Sequence, residues 1–397
     1  MPILADKYNC SGCLACVESC PTGALFSRWN DEGHLTYGLT VEECIECNKC
    51  EKNCPALNRY QYGLNDLTLS TPFAVWANDA ELRKKSTSGG VFAAIAKQVL
   101  DKGGVVFGAA LIDNQVKHIG IDNIEDLHLL QGSKYAQSDT TGIYKLVFDA
   151  LKNDQFVLFS GLGCQVAGLL NYLPHNRVFD KLYTIDLICG GVPSRSLITK
   201  YLENENLKSI QGFRNKNQYE FSILNEEDKI EVVPLSKRPL PLCGFYTELT
   251  NKYICYNCRY VGAHRKSDMT IGDYWGDIEF PDEHKKGLSI AVVHSDKMLD
   301  FAKSANLSIH RVGWETFLFR NTRMVYGKND SSATARRKRL AEAIANDSYE
   351  KFVIDYANGA TLKHPIYFLR KLVLYCLGKL KKDKRKEFVS ELLKKYR

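Results

Sequence analysis

Eight cysteines in the first fifty-four residues fall into two copies of one spacing. Cys10, Cys13, Cys16 and Cys20 read C-x2-C-x2-C-x3-C-P, closed by Pro21, and Cys44, Cys47, Cys50 and Cys54 repeat the pattern, closed by Pro55. Three thiolates so close in sequence can wrap three irons of a cubane, and the proline turns the chain away after the fourth. When this run occurs twice, the fourth cysteine of each run ligates the other cluster. The expected sets are therefore Cys10, Cys13, Cys16 and Cys54 for one [4Fe-4S] centre, and Cys44, Cys47, Cys50 and Cys20 for the other. Structural zinc sites use separated C-x-x-C pairs instead, so electron transfer is the chemistry to expect.

Six further cysteines follow: Cys164, Cys189, Cys243, Cys255, Cys258 and Cys376. Cys164 and Cys189 come just after apolar runs that read as strands, and residues at the ends of parallel strands gather along the ligand-binding edge of a sheet. With Cys255 and Cys258, a C-x-x-C pair, they could hold a third cluster. Two other readings compete. Cys164 could be a reactive thiol activated at a helix start, and isolated cysteines are often small buried hydrophobes.

Other segments have the residue types of a binding site. Ser86, Thr87, Ser88, Gly89 and Gly90 precede an apolar-periodic helix, where free backbone amides could cradle a diphosphate; a capped helix with a glycine turn is the simpler reading. Ser133, Lys134 and Tyr135 offer a cation and an aromatic ring. Asp268, Asp273 and His264 are acid–base candidates, but no catalytic residue can be named. There is no G-x-x-x-x-G-K-[ST] loop and no G-x-G-x-x-G after a strand, so neither a P-loop nor a standard dinucleotide fold is expected.

The elements that must position these groups can be read in order. Residues 1–57 form a small ferredoxin-like module whose halves are separated by a polar hairpin over residues 28–43. A polar linker spans about 58–71. From Pro72, strands over 73–77, 105–111, 156–160, 182–188 and 289–293 alternate with helices, the pattern of an α/β domain that runs to 330. Within it, residues 208–233 read as an antiparallel insertion. Residues 331–397 read as a helical basic tail, with 17 Lys+Arg against 7 Asp+Glu, while the rest has 36 against 39. The fold class is thus α+β for the module and α/β for the second domain. The tail's apolar residues at helical spacing are expected to dock on the body, the alternative being peripheral contact with an anionic membrane surface or an acidic partner. Its charge run lacks interleaved aromatics, so no nucleic-acid binding is expected. No apolar run reaches spanning length and the chain opens without a basic-then-apolar leader, which together read as cytoplasmic.

The ordered set CxxCxxCxxxCP twice, STSGG, GSKYAQS, GLGCQVAGL, DLICGGVPS, CYNCRY, SDMTIGDYWGD and KGLSIAVV resembles the coenzyme F420 hydrogenase/dehydrogenase beta-subunit family, in its bacterial form with a fused N-terminal ferredoxin. The resemblance covers residues 1–295. It implies an iron–sulfur flavoprotein with FAD in the α/β domain beside a third [4Fe-4S] cluster on Cys164, Cys189, Cys255 and Cys258. It also makes Ser86 to Gly90 and Ser133 to Tyr135 flavin contacts. One departure is Gly163, where the family commonly has proline. The expected function is an oxidoreductase passing electrons between a ferredoxin or other redox partner and a small organic substrate or deazaflavin-type cofactor. Many bacterial relatives are associated with polysaccharide genes, which leaves a link to polysaccharide synthesis open. The alternatives are an electron-transfer subunit with no substrate of its own and a protein whose clusters are structural.

Overall fold

The computed structural model describes residues 1–57, 62–214, 220–234, 237, 239–275, 279–319 and 321–325, with scattered positions after 338. In chain order the N-terminal module contains α1 (Ala15–Glu18), the hairpin β1 (Leu25–Trp29) and β2 (Leu35–Leu39), and α2 (Lys49–Lys52). The internal repeat is visible in the backbone. Leu14 and Asn48, each following the second cysteine of its run, both adopt the left-handed conformation, at φ 63° and 58°, and each opens a one-turn helix. The hairpin starts three residues before the polar stretch that signals it, because Leu25 is buried and belongs to the first strand.

The chain continues through β3 (Gly63–Leu64), β4 (Thr71–Ala77), α3 (Ala80–Lys85), α4 (Val91–Asp101), β5 (Val105–Ile112), β6 (Gln115–Ile121), α5 (Leu127–Leu130), α6 (Ile143–Lys152), β7 (Val157–Gly161), α7 (Gly163–Tyr172), β8 (Leu182–Leu187) and α8 (Ser196–Asn204). Then come β9 (Leu207–Gly212), β10 (Glu220–Asn225), β11 (Ile230–Pro234), α9 (Leu240–Thr247), β12 (His264–Arg265), β13 (Met269–Asp273), α10 (Pro281–Lys286), β14 (Ser289–Val293), α11 (Asp296–Lys303), β15 (Leu307–Arg311) and α12 (Trp314–Leu318).

An eight-stranded sheet of order β15-β4-β14-β13-β8-β7-β5-β6 forms the centre. Its middle strands β13, β8, β7 and β5 run parallel, and antiparallel strands extend both edges. Val157, Leu158 and Phe159 are all buried, as a strand covered on both faces requires. Val106, Leu158 and Ile185 meet α4 and α11 on one face, while Val157, Phe159 and Leu182 meet α6 and α7 on the other. Strands β9, β10 and β11 form a separate antiparallel sheet, where the insertion is expected. The stretch read as a polar linker is anchored within its described part, since Tyr62 is buried and β3 pairs with β12.

The N-terminal module docks on the second of these faces. Tyr144 Oη and Thr140 Oγ1 both donate to the Cys13 carbonyl, at 2.7 and 3.1 Å. Gln137 bridges to Leu35 N–H and the Ser11 carbonyl. Gly168 of α7 makes the approach possible, because a Cβ there would lie 3.1 Å from Cys13 Sγ. Most of the tail lies outside the described residues. Of its described positions, Val353 is fully buried in a cluster with Leu197, Ile198 and Tyr201. No helix among the described residues is long and apolar enough to cross a membrane.

Candidate functional site

The twelve described cysteines are all free thiols, and they fall into three sets. Cys10, Cys13, Cys16 and Cys54 surround one hollow, walled by Leu4, Ala5 and Tyr37. Cys20, Cys44, Cys47 and Cys50 surround a second, walled by Leu25, Leu39 and Ile45. Each hollow thus draws three thiols from one repeat and the fourth from the other. Burial pushes the Cys13 thiol up to about 12 and raises Cys16, Cys50 and Cys54 as well. Bare thiols in such places are costly to ionise, and metal ligation deprotonates them outright. Gly12 N–H lies 3.4 Å from Cys10 Sγ, the kind of contact that raises a cluster's potential.

The third set assembles from three segments of the chain. Cys164 sits in the first turn of α7, Cys189 follows β8, and Cys255 and Cys258 lie in and just after the 3-10 turn Tyr253–Asn257. Burial, then the neighbouring thiols Cys258, Cys189 and Cys255, hold Cys164 well above its ordinary value. Cys258 is pushed up to about 11, chiefly by burial. Gly191 N–H donates to Cys189 Sγ at 3.3 Å. Gly163 is the first residue of α7, a position where proline is well tolerated, but its Cβ would stand 2.9 Å from the Tyr260 carbonyl. No three described Cys, His, Asp or Glu side chains converge closely enough to chelate a single ion; a cubane spreads its four ligands over four irons. The side chain of Cys243 and the whole of Cys376 lie outside the described residues.

The buried ammonium of Lys252 stands between the first and third sets. Its Nζ donates to the Leu35 carbonyl at 2.6 Å, and its charge is felt by Cys10, Cys13, Cys164 and Cys255. Cys13 likewise acts on Cys164, which makes the first set the nearer of the two N-terminal sets to the third. The second set is the outlying one, with Cys47 exposed.

A cleft of about 340 Å³ opens along the carboxyl ends of β7, β8 and β13, where an α/β sheet binds ligands. Cys189, Gly190 and Gly191 form part of its wall, and the start of α4 with Ser133 to Tyr135 forms another part. The predicted residues take up different roles there. Ser86 and Ser88 donate their hydroxyls to the Leu82 and Leu288 carbonyls, and Thr87 Oγ1 accepts from Ser133 N–H. Gly89 packs against β4 and β14, where a Cβ would come 2.5 Å from the Val75 carbonyl. What α4 presents to the cleft is its backbone end, entered through Gly90 at φ 84°. Lys134 Nζ donates to the Leu129 and Gln131 carbonyls, and burial lowers its pKa to about 7. The Tyr135 ring stacks on Phe245 at 4.0 Å.

Several cleft residues carry no sequence signal. Arg214 ion-pairs with Asp273 at 2.6 Å beneath Trp275. His118 holds Ser138 and the Ser160 carbonyl with its two ring nitrogens. Asn321 is buried against the cleft with its Oδ1 unpartnered. Asp268 lies elsewhere, accepting from Thr184 and Ser295, and His264 contacts Ser70 outside the cleft. A helix amide end, an aromatic pair and an orphaned buried acceptor together fit a flavin dinucleotide.

Residues 9–58 match a 4Fe-4S dicluster domain. Residues 73–145 match the N-terminal part, and residues 154–310 the C-terminal part, of the coenzyme F420 hydrogenase/dehydrogenase beta subunit, which together make up more than half of the chain. An uncharacterized ferredoxin of Methanocaldococcus jannaschii is 39% identical over 54 residues, covering 13% of this chain and 68% of that protein. Among solved structures, a chain of the F420-reducing [NiFe] hydrogenase complex from Methanosarcina barkeri aligns over 71% of this chain and 93% of its own, at 17% identity and a TM-score of 0.45.

Proposed function

We propose that this chain, which belongs to the coenzyme F420 hydrogenase/dehydrogenase beta-subunit family and carries a 4Fe-4S dicluster domain, is an iron–sulfur flavoprotein oxidoreductase. In this reading Cys20, Cys44, Cys47 and Cys50 would hold an outlying [4Fe-4S] cluster, Cys10, Cys13, Cys16 and Cys54 an inner one, and Cys164, Cys189, Cys255 and Cys258 a third beside the cleft. Such clusters would supply one-electron transfer between a redox partner and an organic substrate in the cleft. FAD, when bound, would convert single electrons to the two-electron chemistry of that substrate. The observation that carries the reading is Cys189, which belongs at once to the third thiol set and to the cleft wall.

The chain's own residues supply binding and insulation. The α4 amide end and Gly90 would hold the diphosphate, and the Tyr135–Phe245 pair would flank the aromatic part. Leu25, Leu39 and Ile45 wall the outer centre, and the buried Lys252 offsets negative charge between the inner two. The family's description as a beta subunit favours one second reading, an electron-transfer subunit with no substrate of its own. Anaerobic purification with iron, sulfide and flavin analysis separates the two. About twelve irons per chain with flavin released on denaturation supports the oxidoreductase. About eight irons without flavin overturns it and leaves the carrier.

A further inference from the structure

Three buried tyrosines, Tyr62, Tyr144 and Tyr260, share the apolar core that holds Cys13 and against which Cys164 and Cys258 pack. A buried tyrosine ordinarily finds a partner for its hydroxyl. Two of these do so within the protein. Tyr144 Oη donates to the Cys13 carbonyl at 2.7 Å, with the Gln165 carbonyl at 3.1 Å. Tyr62 Oη donates at 2.7 Å to Asp186, which also pairs with the Arg265 guanidinium at 3.3 Å. The Tyr260 hydroxyl has no hydrogen-bond partner among the described residues, although the side chain is only 3% exposed.

Packing alone does not call for that hydroxyl. The Tyr260 ring sits edge-on to Tyr62 with centroids 6.0 Å apart, a contact that a phenylalanine would make equally well. Keeping a polar group buried and unpaired is costly, so the oxygen needs an acceptor for its hydrogen.

Its position in the chain indicates which one. The tripeptide Cys258-Arg259-Tyr260 crosses the junction between the N-terminal module and the α/β domain. Cys258 belongs to the third thiol set. Arg259 donates to the Ala56 carbonyl at 3.1 Å and to Asn9 Oδ1 at 3.3 Å, close in sequence to Cys54 and Cys10. Tyr260 then enters the core beside Cys13. Burial, then the Cys13 and Cys164 thiols, raise its phenol well above the ordinary value, and Ser11 and Cys54 are further neighbours. Cys13, Ser11 and Cys54 all lie in or between members of the first set, so the balance of its surroundings is with that set. A phenol with an ordinary pKa near 10 keeps its hydrogen at neutral pH, and the sulfurs of an anionic centre are strong acceptors for it.

We propose that Tyr260 donates its hydroxyl hydrogen to a sulfur of the [4Fe-4S] centre on Cys10, Cys13, Cys16 and Cys54 and thereby raises that centre's potential. The proposal rests on the cluster reading of that set and on neither FAD nor the substrate. The hydrogen stays on Tyr260 throughout. Reduction adds one negative charge to the acceptor, which strengthens the hydrogen bond and favours the reduced form. Because Arg259 and Tyr260 belong to the α/β domain, the first centre is easier to reduce only while its module is docked.

The test is an EPR-monitored redox titration of the anaerobically purified full chain and of Tyr260→Phe, with the first centre identified as the signal altered in Cys16→Ala. The reduction equilibrium constant of that centre should fall about tenfold, a midpoint lower by about 59 mV, while the outer centre is unshifted. Electron–nuclear double resonance on the same signal should show a proton coupling that disappears in Tyr260→Phe and weakens in D2O. An unshifted midpoint at the native iron content overturns the proposal, as does a shift confined to the third centre or a coupling that survives the substitution. If Tyr260→Phe loses iron, the native spectra in H2O and D2O decide, and a signal without an exchangeable proton overturns the proposal. Fewer than about eight irons in the native chain would instead overturn the cluster reading of the N-terminal sets.

Discussion

Gly168→Ala tests whether the N-terminal module is held where electrons can cross. In the middle of an α-helix this change ordinarily stabilises, by about 1 kcal/mol. Here the added Cβ would meet Tyr144 Oη at 2.8 Å, Cys13 Cβ at 3.0 Å and Cys13 Sγ at 3.1 Å. None of the three can easily give way. Tyr144 Oη is held by the Cys13 and Gln165 carbonyls, and the Cys13 backbone is held by Tyr144 and Thr140. Overpacking of such a site costs about 1–3 kcal/mol, so the sign reverses and the net loss is about 1 kcal/mol. With a urea dependence near 2–3 kcal/mol per molar, the midpoint falls by about 0.4 M. Urea titration of the anaerobic holoprotein would read it twice, by tryptophan fluorescence and by loss of cluster absorbance. A midpoint raised by the ordinary helix gain would refute the packing of Cys13 on α7, and with it the closeness of the inner and third thiol sets.

Two further outcomes follow from buried cations and imidazoles. Lys252→Met removes a positive charge placed between two thiol sets; a unit charge at roughly 8 Å in an effective dielectric of about 20 is worth about 2 kcal/mol, so the potentials of the inner centres should fall by about 90 mV in a redox titration. Unshifted potentials would mean that the ammonium is neutral or distant. Burial, then the nearby Lys252 charge, lowers His34 to about 3. A pKa depressed below its unfolded value near 6.5 means that the unfolded chain binds the extra proton. Stability is then full above pH 6.5 and declines as the pH falls toward 3. His34→Phe should flatten the change in urea midpoint between pH 7.5 and 5.5, and an equally steep decline in the variant would exclude His34 as its source.

Much of the fold was legible because its central strands are continuous apolar runs with helices between them. The edge strands β6 and β15 were not: Gln115-Val-Lys-His-Ile-Gly-Ile and Leu307-Ser-Ile-His-Arg each face solvent in part, and their polar residues hide the strand. At the site, cysteine spacing was a local signal that could be read directly. Ser86 and Ser88 carry a signal with two readings, since a hydroxyl before a helix can serve a ligand or a neighbouring carbonyl; both line the cleft and both donate to a carbonyl. Lys252, Asp186 and Arg265 were invisible for a different reason. A charged residue is buried only if its partners come to it, and Lys252 meets Leu35 from 217 positions away.

The exchange of fourth cysteines between the two repeats also bears on how such a module can change over time. Neither repeat by itself encloses all four thiols of a hollow, so trimming or replacing one half alone opens both. Losing Cys54 breaks the set whose other members lie nearly forty residues earlier, and losing Cys20 does the reverse. Each repeat instead holds the missing corner of the other, so a change that shifts either one displaces a thiol in both hollows.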